Sequence, residues 1–472
     1  MSGEHSVAMT QAVHEAAMRH LLRADGQEDI CFGVWRPSQG ARRTTALVQS
    51  LILPEAGDRR LHGNVSFEPQ FLERALAVAA ANGTGLVMLH SHPGGCGWQA
   101  MSGPDVVAEQ GNAGAVFGAT DKPFFGMTTA GDGAWSARVW ERVAPRNYQE
   151  RWCRSVRVVG EKLTPTYHPR LAPVPKATAS QPRTVSAWGE SCQADIARLR
   201  VGVVGAGSTG GFVGEALART GVQDIVLIDF DDIKLHNLDR LVYATTKDVG
   251  RRKSDVLAER LRLSATAEDF QATPILQALY EEPAYRAALD CDVLLSCVDR
   301  PWGRHVQNHI AFAHLIPVID GGILVRTNRS KRLVSADWTT QTVAPGRPCL
   351  QCLGQYDAGM VQLEREGMFD DPSYIEGLRD DHPLKARQNV FAFSMACASS
   401  QVLQFLNMIV APLEIAYSGR QRYHFVDAAT EPSSTTTCHE NCLLPSQVAL
   451  GDDSPYRVIQ ESANKCLPKE SA

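Results

Sequence analysis

From residue 200 onward the chain alternates short, β-branched apolar runs with helical patterns, and few folds accept that alternation. VGVVG (Val201–Gly205), IVLID (Ile225–Asp229), DVLLSCV (Asp292–Val298) and PVIDGG (Pro317–Gly322) read as strands, while GFVGEALART (Gly211–Thr220) and KSDVLAERLRL (Lys253–Leu263) carry apolar residues at helical spacing. Strands that are apolar on both faces need helices on both sides, so the pattern predicts βαβ units in a doubly wound, Rossmann-like parallel sheet. Upstream, CFGVW (Cys31–Trp35) and TTALVQSLIL (Thr44–Leu53) read as strands and FLERALAVAAANG (Phe71–Gly83) as a helix closed by Gly83. They predict a smaller α+β domain, so the chain as a whole is α/β. Between the two, residues 160–182 carry Pro165, Pro169, Pro173, Pro175 and Pro182 and read as a linker. The expected division is an α+β domain over 1–159, the linker 160–182, the doubly wound domain over 183–455 and a tail over 456–472.

Charge narrows the function classes. The 472 residues include 47 basic and 52 acidic side chains, a net charge of −5, and 44% are hydrophobic. Without a basic field, nucleic acid is not an expected partner. The most membrane-like stretch, Val390 to Val410, is interrupted by Ser394, Ser399, Ser400, Gln401, Gln404 and Asn407, so a buried helix is expected rather than a span. The first residues show no charged segment followed by an apolar core, and a cytoplasmic location is expected.

LVMLHSHPGGCGWQAMSGPD runs from an apolar strand into His90, Ser91 and His92, then a glycine-rich loop, then Ser102 and Asp105. Residues two apart on a strand project to one side, so His90 and His92 can grip one ion. Asp105 as third ligand leaves a tetrahedral position for water, the open coordination of a catalytic Zn²⁺. Glu28, ahead of a predicted strand, is the best-placed general base, and Ser102 is placed to hydrogen-bond an oxyanion. This stretch resembles the JAMM (JAB/MPN) metalloprotease family, whose pattern is a distant Glu, then H-x-H-P, a loop and S-x-x-D. The loop after His92 is about two residues longer than is usual there. The resemblance implies that His90, His92 and Asp105 hold zinc, Glu28 is the base and Ser102 the oxyanion partner.

RVGVVGAGSTGG sets Gly205, Gly207 and Gly210 in G-x-G-x-x-G spacing after a strand and at a helix start, where backbone N–H groups face a phosphate. Asp229 ends the next strand, placed for ribose hydroxyls, and Asn237, Arg240 and Lys253 follow, with cations suited to a triphosphate. The order of these residues, completed by Asp299 after DVLLSCV, resembles the ThiF-type family of ubiquitin-activating and sulfur-carrier-activating enzymes. The resemblance implies ATP held by Asp229, Arg240 and Lys253, with Asp299 engaged with Mg²⁺ and the reacting centre. It also implies adenylation of a C-terminal glycine carboxylate, and a homodimer.

Cys349 and Cys352 in C-x-x-C and Cys438 and Cys442 in C-x-x-x-C make a closed, structural zinc site when brought together, as ThiF-like proteins commonly show. Between Leu353 and Ala396 there is no cysteine for a thioester, and Cys397 lies in an apolar helix, so adenylation is better supported than thioester transfer. The two constellations together imply a protein that processes or deconjugates a ubiquitin-like protein and activates its C-terminal glycine, with a conjugating enzyme or sulfur donor as the candidate downstream partner. Sulfur-carrier activation and trimming, or a non-catalytic scaffold, are the competing readings.

Overall fold

The computed structural model describes residues 3–62, 64–371, 376–377, 388–416, 419–432, 436–456 and 458–459. Most of the expected tail over 456–472 lies outside the described residues.

The N-terminal half is built from β1 (Glu4–Thr10), α1 (Gln11–Leu21), β2 (Ile30–Gln39), β3 (Arg43–Ile52), β4 (Arg59–His62), β5 (Asn64–Phe67), α2 (Pro69–Ala81), β6 (Gly85–His92), α3 (Gly103–Thr120), β7 (Phe124–Ala130), β8 (Trp135–Ala144), β9 (Asn147–Trp152), β10 (Ser155–Val159) and β11 (Leu163–Tyr167). Nine of the strands form one mixed sheet in the order β11-β10-β1-β3-β2-β6-β7-β8-β9, and β4 and β5 make a separate hairpin. Here the sequence expectation needs correction. Residues 163–167 are not linker but an edge strand, antiparallel to β10, with Pro165 opposite Arg157. An edge strand has one side with no ladder bond to donate, so proline is tolerated. The connection between the halves is the shorter stretch after Tyr167.

The second half runs α4 (Pro182–Trp188), α5 (Glu190–Arg198), β12 (Arg200–Val204), α6 (Ser208–Thr220), β13 (Asp224–Ile228), α7 (Lys253–Ser264), β14 (Gln271–Ile275), α8 (Glu282–Leu289), β15 (Val293–Ser296), α9 (Pro301–Ala313), β16 (Val318–Thr327), β17 (Leu333–Val343), α10 (Ala358–Arg365), α11 (Phe391–Val410), β18 (Gln421–His424) and β19 (Ala429–Pro432). Its sheet order is β14-β13-β12-β15-β16-β17-β18-β19, parallel from β14 to β16 and antiparallel beyond. The strand order reverses between β12 and β15, which opens a crevice at their carboxyl ends. α11, the described helix apolar and long enough to cross a membrane, packs on α6, β16 and β17 and is half buried.

The halves share a core. Ala8, Leu47, Val159 and Leu163 pack in the same apolar cluster as Ile196, Leu199 and Val201. Around it lies a buried polar seam. Arg43 donates from Nη1 to Asp292 at 2.7 Å and from Nη2 to the Cys291 carbonyl at 2.7 Å, and Arg157 reaches Asp292 at 3.3 Å. Asp290 accepts from the backbone N–H of Arg42 and of Arg43 at 3.1 and 2.9 Å. Gly40 is required beside it, since a Cβ there would fall 2.0 Å from the Asp290 carboxylate. His314 completes the seam, bridging Ser38 and Tyr285 at 2.8 Å each.

Burial raises the Asp292 carboxyl, but Arg43 and Arg157 outweigh it and hold it at about 2, below its ordinary 3.8. A carboxylate depressed in the folded state stabilises fully above its unfolded value and loses that contribution as the pH falls through the folded value. Asp292→Asn leaves two buried guanidinium groups short of their counter-charge and is expected to lower unfolding stability by about 3–5 kcal/mol. Urea denaturation at neutral pH measures the loss, and the gap to wild type should narrow between about pH 4 and pH 2.

Candidate functional site

The crevice at the strand reversal gathers three loops. Gly205 follows β12 with φ +94°, and a Cβ on it would lie 2.6 Å from the carbonyl oxygen of Cys297 after β15. Gly210 in the first turn of α6 is as tight, its imagined Cβ 1.8 Å from the Gly205 carbonyl. Only glycine lets these backbones meet, while Gly207 caps α6 and turns its free N–H groups to the crevice. Asp229, after β13, accepts from the N–H of Ala206 at 2.7 Å and of Asp231 at 2.8 Å. Burial pushes its carboxyl up, and Lys253 with the two N–H groups opposes that. Tyr243, which sequence reasoning missed, donates its hydroxyl to the Ala206 carbonyl at 2.5 Å and braces the loop from behind.

Lys253 opens α7 and pairs with Asp231 at 2.7 Å, which ties the start of α7 to the Asp229 loop. Arg240 is held at the His236 carbonyl and Asp239, at 2.7 and 2.9 Å, and its own carbonyl accepts from Ser208 at the start of α6. Asn237 has a local role: its side-chain oxygen accepts from the Lys234 N–H at 3.0 Å and closes the turn that carries Arg240. Asp299 is exposed, two residues beyond Cys297. Side chains of the neighbouring helix α9 make structural contacts of their own. Arg304 is bound to Asp320 at 3.0 Å, and Asn308 links Tyr356 to the Leu350 backbone.

The four cysteines expected to act together do meet. Sγ atoms of Cys349, Cys352, Cys438 and Cys442 lie within 4.8 Å of one another. Backbone N–H groups of Cys349, Cys352 and His439 point at the sulfurs of Cys438, Cys349 and Cys352, at 3.2 to 3.4 Å. Such donors stabilise thiolate, the form that binds metal, so the donor set fits a closed tetrahedral zinc site. Cys397, by contrast, is pushed up to about 12 by burial, an inert thiol.

In the N-terminal sheet, His90, His92 and Asp105 present ligand atoms within 4.8 Å of one another. Asp105 stands 3.6 Å from Nε2 of each imidazole. Although burial raises its carboxyl, the two imidazoles draw it well below the carboxylate range, and Asp105 in turn draws His92 upward. Ser102 is the N-cap of α3: its Oγ accepts from the Asp105 N–H at 3.3 Å, and its N–H returns a bond to Asp105 at 2.7 Å. That cap aims Asp105 and leaves the Ser102 hydroxyl hydrogen free to donate. β2 pairs antiparallel with β6, Ile30 opposite His90, and Glu28 lies two residues ahead of that pair, outside the ladder. Its charge acts on the His92 imidazole. Gln99, from the loop after His92, donates to the Cys96 and Gly97 carbonyls at 2.9 and 3.1 Å, lies near the same ring and was not foreseen. The donor set and its spacing fit a zinc ion with an open position.

Comparison with known proteins bears on the second half. Residues 179–444 match the ThiF family model. The chain belongs to the ThiF family. The ThiF-family chain is 37% identical over 112 residues to the tRNA threonylcarbamoyladenosine dehydratase of Escherichia coli (strain K12), covering 23% of this chain and 42% of that protein. It is 36% identical over 117 residues to the sulfur carrier protein ThiS adenylyltransferase of the same organism, covering 25% and 46%. With the molybdopterin-synthase adenylyltransferase of E. coli the figures are 28% over 156 residues, 33% and 59%. The chain thus spans about half the length of these curated relatives. A crystal structure of E. coli MccB with succinimide superposes with a TM-score of 0.43 at 16% identity, covering 57% of this chain and 74% of that one.

Two zinc ions per full-length chain are the expected content, measured by metal analysis after dialysis. His92→Ala should remove one and leave the melting temperature near wild type. Cys349→Ser with Cys352→Ser should remove the other and lower it, because a closed site contributes folding energy.

Proposed function

We propose that the ThiF-type half of this chain adenylates the C-terminal carboxylate of a ubiquitin-like or sulfur-carrier protein. The observation that carries the reading is the crevice itself: a glycine turn on a helix N-terminus, the Asp229 carboxylate and the Asp299 loop gathered at the strand reversal, where such sheets bind nucleotides. The relatives named as adenylyltransferases of sulfur carriers favour that substrate class. In the proposed step a carboxylate oxygen attacks the α-phosphorus of ATP in line, the bond to the bridging oxygen of the β-phosphate breaks, and pyrophosphate leaves an acyl-adenylate. Asp229 would accept hydrogen bonds from the ribose, while Lys253, released from Asp231, and Arg240 would meet the phosphates. Mg²⁺, when bound beside Asp299, supplies charge neutralisation as pyrophosphate leaves. A homodimer is part of the proposal.

A second activity is proposed for the N-terminal half, zinc-dependent hydrolysis of a peptide or isopeptide bond, on the geometry of its own triad. The family match begins at residue 179, so the support here is the meeting of His90, His92 and Asp105, with the charge of Glu28 acting on His92. His90, His92 and Asp105 would hold the zinc, which would supply acidification of a water and polarisation of the scissile carbonyl. Glu28 takes the water's proton and returns it to the leaving amine, and Ser102 donates to the carbonyl oxygen as it gains charge.

Asp299→Ala is expected to cut carboxylate-dependent exchange of pyrophosphate into ATP by about 100-fold or more while cleavage continues; unchanged exchange would remove Asp299 from the site. Glu28→Gln is expected to slow cleavage of a C-terminally extended carrier by about 10²–10⁴-fold with zinc content intact, read by intact mass. Cleavage at the wild-type rate would exclude Glu28 as the base.

A further inference from the structure

A cleft of about 550 Å³ opens in the N-terminal half where the start of β1, the turn from β9 to β10 and the segment after β11 meet. No residue of the triad or of the crevice lines it, and its size suits a small organic molecule. The most buried residue of its lining is His168, 5% exposed. The imidazole is wedged between two indoles, edge-on to Trp98 at 5.1 Å and tilted against Trp152 at 5.5 Å between ring centroids. Its Nδ1 accepts the backbone N–H of Arg170 at 3.1 Å and of Leu171 at 3.2 Å. A nitrogen that accepts carries no proton, so the proton of the neutral ring sits on Nε2, and turning the ring over would break both bonds. Burial, with the nearby Arg170 charge, pushes the imidazole below its ordinary value and keeps it neutral. Nε2–H is therefore a donor of fixed direction, and nothing among the described residues accepts from it.

Three arginines share the lining, and they are not equally matched. Arg151 pairs with Glu141, which also holds His5 at 2.8 Å. Arg154 Nε stands 3.8 Å from Glu4, beyond hydrogen-bond reach, and the charge of Glu4 acts as well on Arg43 and Arg200 of the seam. Arg170 is exposed and makes no ion pair among the described residues. The cleft thus presents two guanidinium groups in want of an anion beside a neutral N–H donor that cannot turn away. Guanidinium forks match the oxygens of phosphate and carboxylate, and Trp152 and Leu171 add apolar wall for the rest of a small molecule.

We infer that this cleft binds a small molecule through an oxyanion group, a phosphate or a carboxylate, with His168 Nε2–H and the guanidinium groups of Arg154 and Arg170 as donors. The test is isothermal titration of the full chain with inorganic phosphate and with succinate. The chain carries His92→Ala and Lys253→Ala, which weaken the other two places where an anion would bind. Adding Arg170→Ala, at an exposed side chain, should weaken binding about 10–100-fold, the loss of a charge-assisted bond, with an unchanged melting temperature. Adding His168→Asn leaves an acceptor for the two backbone N–H groups but removes Nε2, and should weaken binding about 3–10-fold. Phosphate bound more tightly than succinate supports a phosphoester as the ligand, and the reverse order supports a carboxylate. Binding of neither probe up to about 10 mM overturns the inference. An affinity that Arg170→Ala leaves unchanged overturns it by placing the anion elsewhere. A loss in Arg170→Ala with none in His168→Asn also overturns it, reducing the cleft to surface charge.

Discussion

One carboxylate, Asp292, joins the two halves of this molecule. It stands at the start of β15, inside the seam between two sheets, and serves Arg43 and Arg157 from the opposite side while accepting the Arg200 N–H of its own sheet at 2.9 Å. Taking three such charges out of water is costly, and attraction returns that cost only when geometry is held tightly. The seam is therefore rigid by requirement, and the apolar cluster shared by β1, β3, β10, β11 and β12 closes over it. Neither half can tilt without exposing charge that has no other partner.

The two candidate metal centres show how differently donor groups are prepared. The cysteine cluster lies in loops far apart in sequence and is held by backbone N–H groups aimed at sulfur. It is a staple, and what it joins is the loop after β17 to the chain beyond β19. The imidazole–carboxylate triad has its ligands on a strand and a capped helix. One arrangement closes around an ion, and the other leaves a side open to solvent near Glu28.

Much of this was legible in the residues. The parallel sheet announced itself because buried strands must be apolar on both faces, and the glycine turn because no other residue fits the contacts of Gly205 and Gly210. The H-x-H pair followed from strand alternation, and both cysteine pairs from their spacing. Other features were not legible. Pro165 read as linker because its chemistry on a central strand would be prohibitive, yet at the edge beyond β10 it is harmless. The bond by which the Asn237 side-chain oxygen closes its own turn left no mark in the sequence. Trp98, Arg154 and His168 lie on three separate segments with no motif to join them, and only the fold brings them together. Asp292 was read as part of an apolar strand, and nothing local marks it as the hinge pin of two domains.

The seam also sets a direction. It engages the β2–β3 end of one sheet and the amino ends of β12 and β15 in the other, so the triad and the crevice each stand at strand ends that point away from it. Along β2 the triad end at Ile30 lies eight residues from Ser38 in the seam, roughly 26 Å at strand rise, and β12 adds its own length from Arg200 to Val204 before the crevice. Set back to back across the seam, the triad and the crevice are two separate mouths of one molecule.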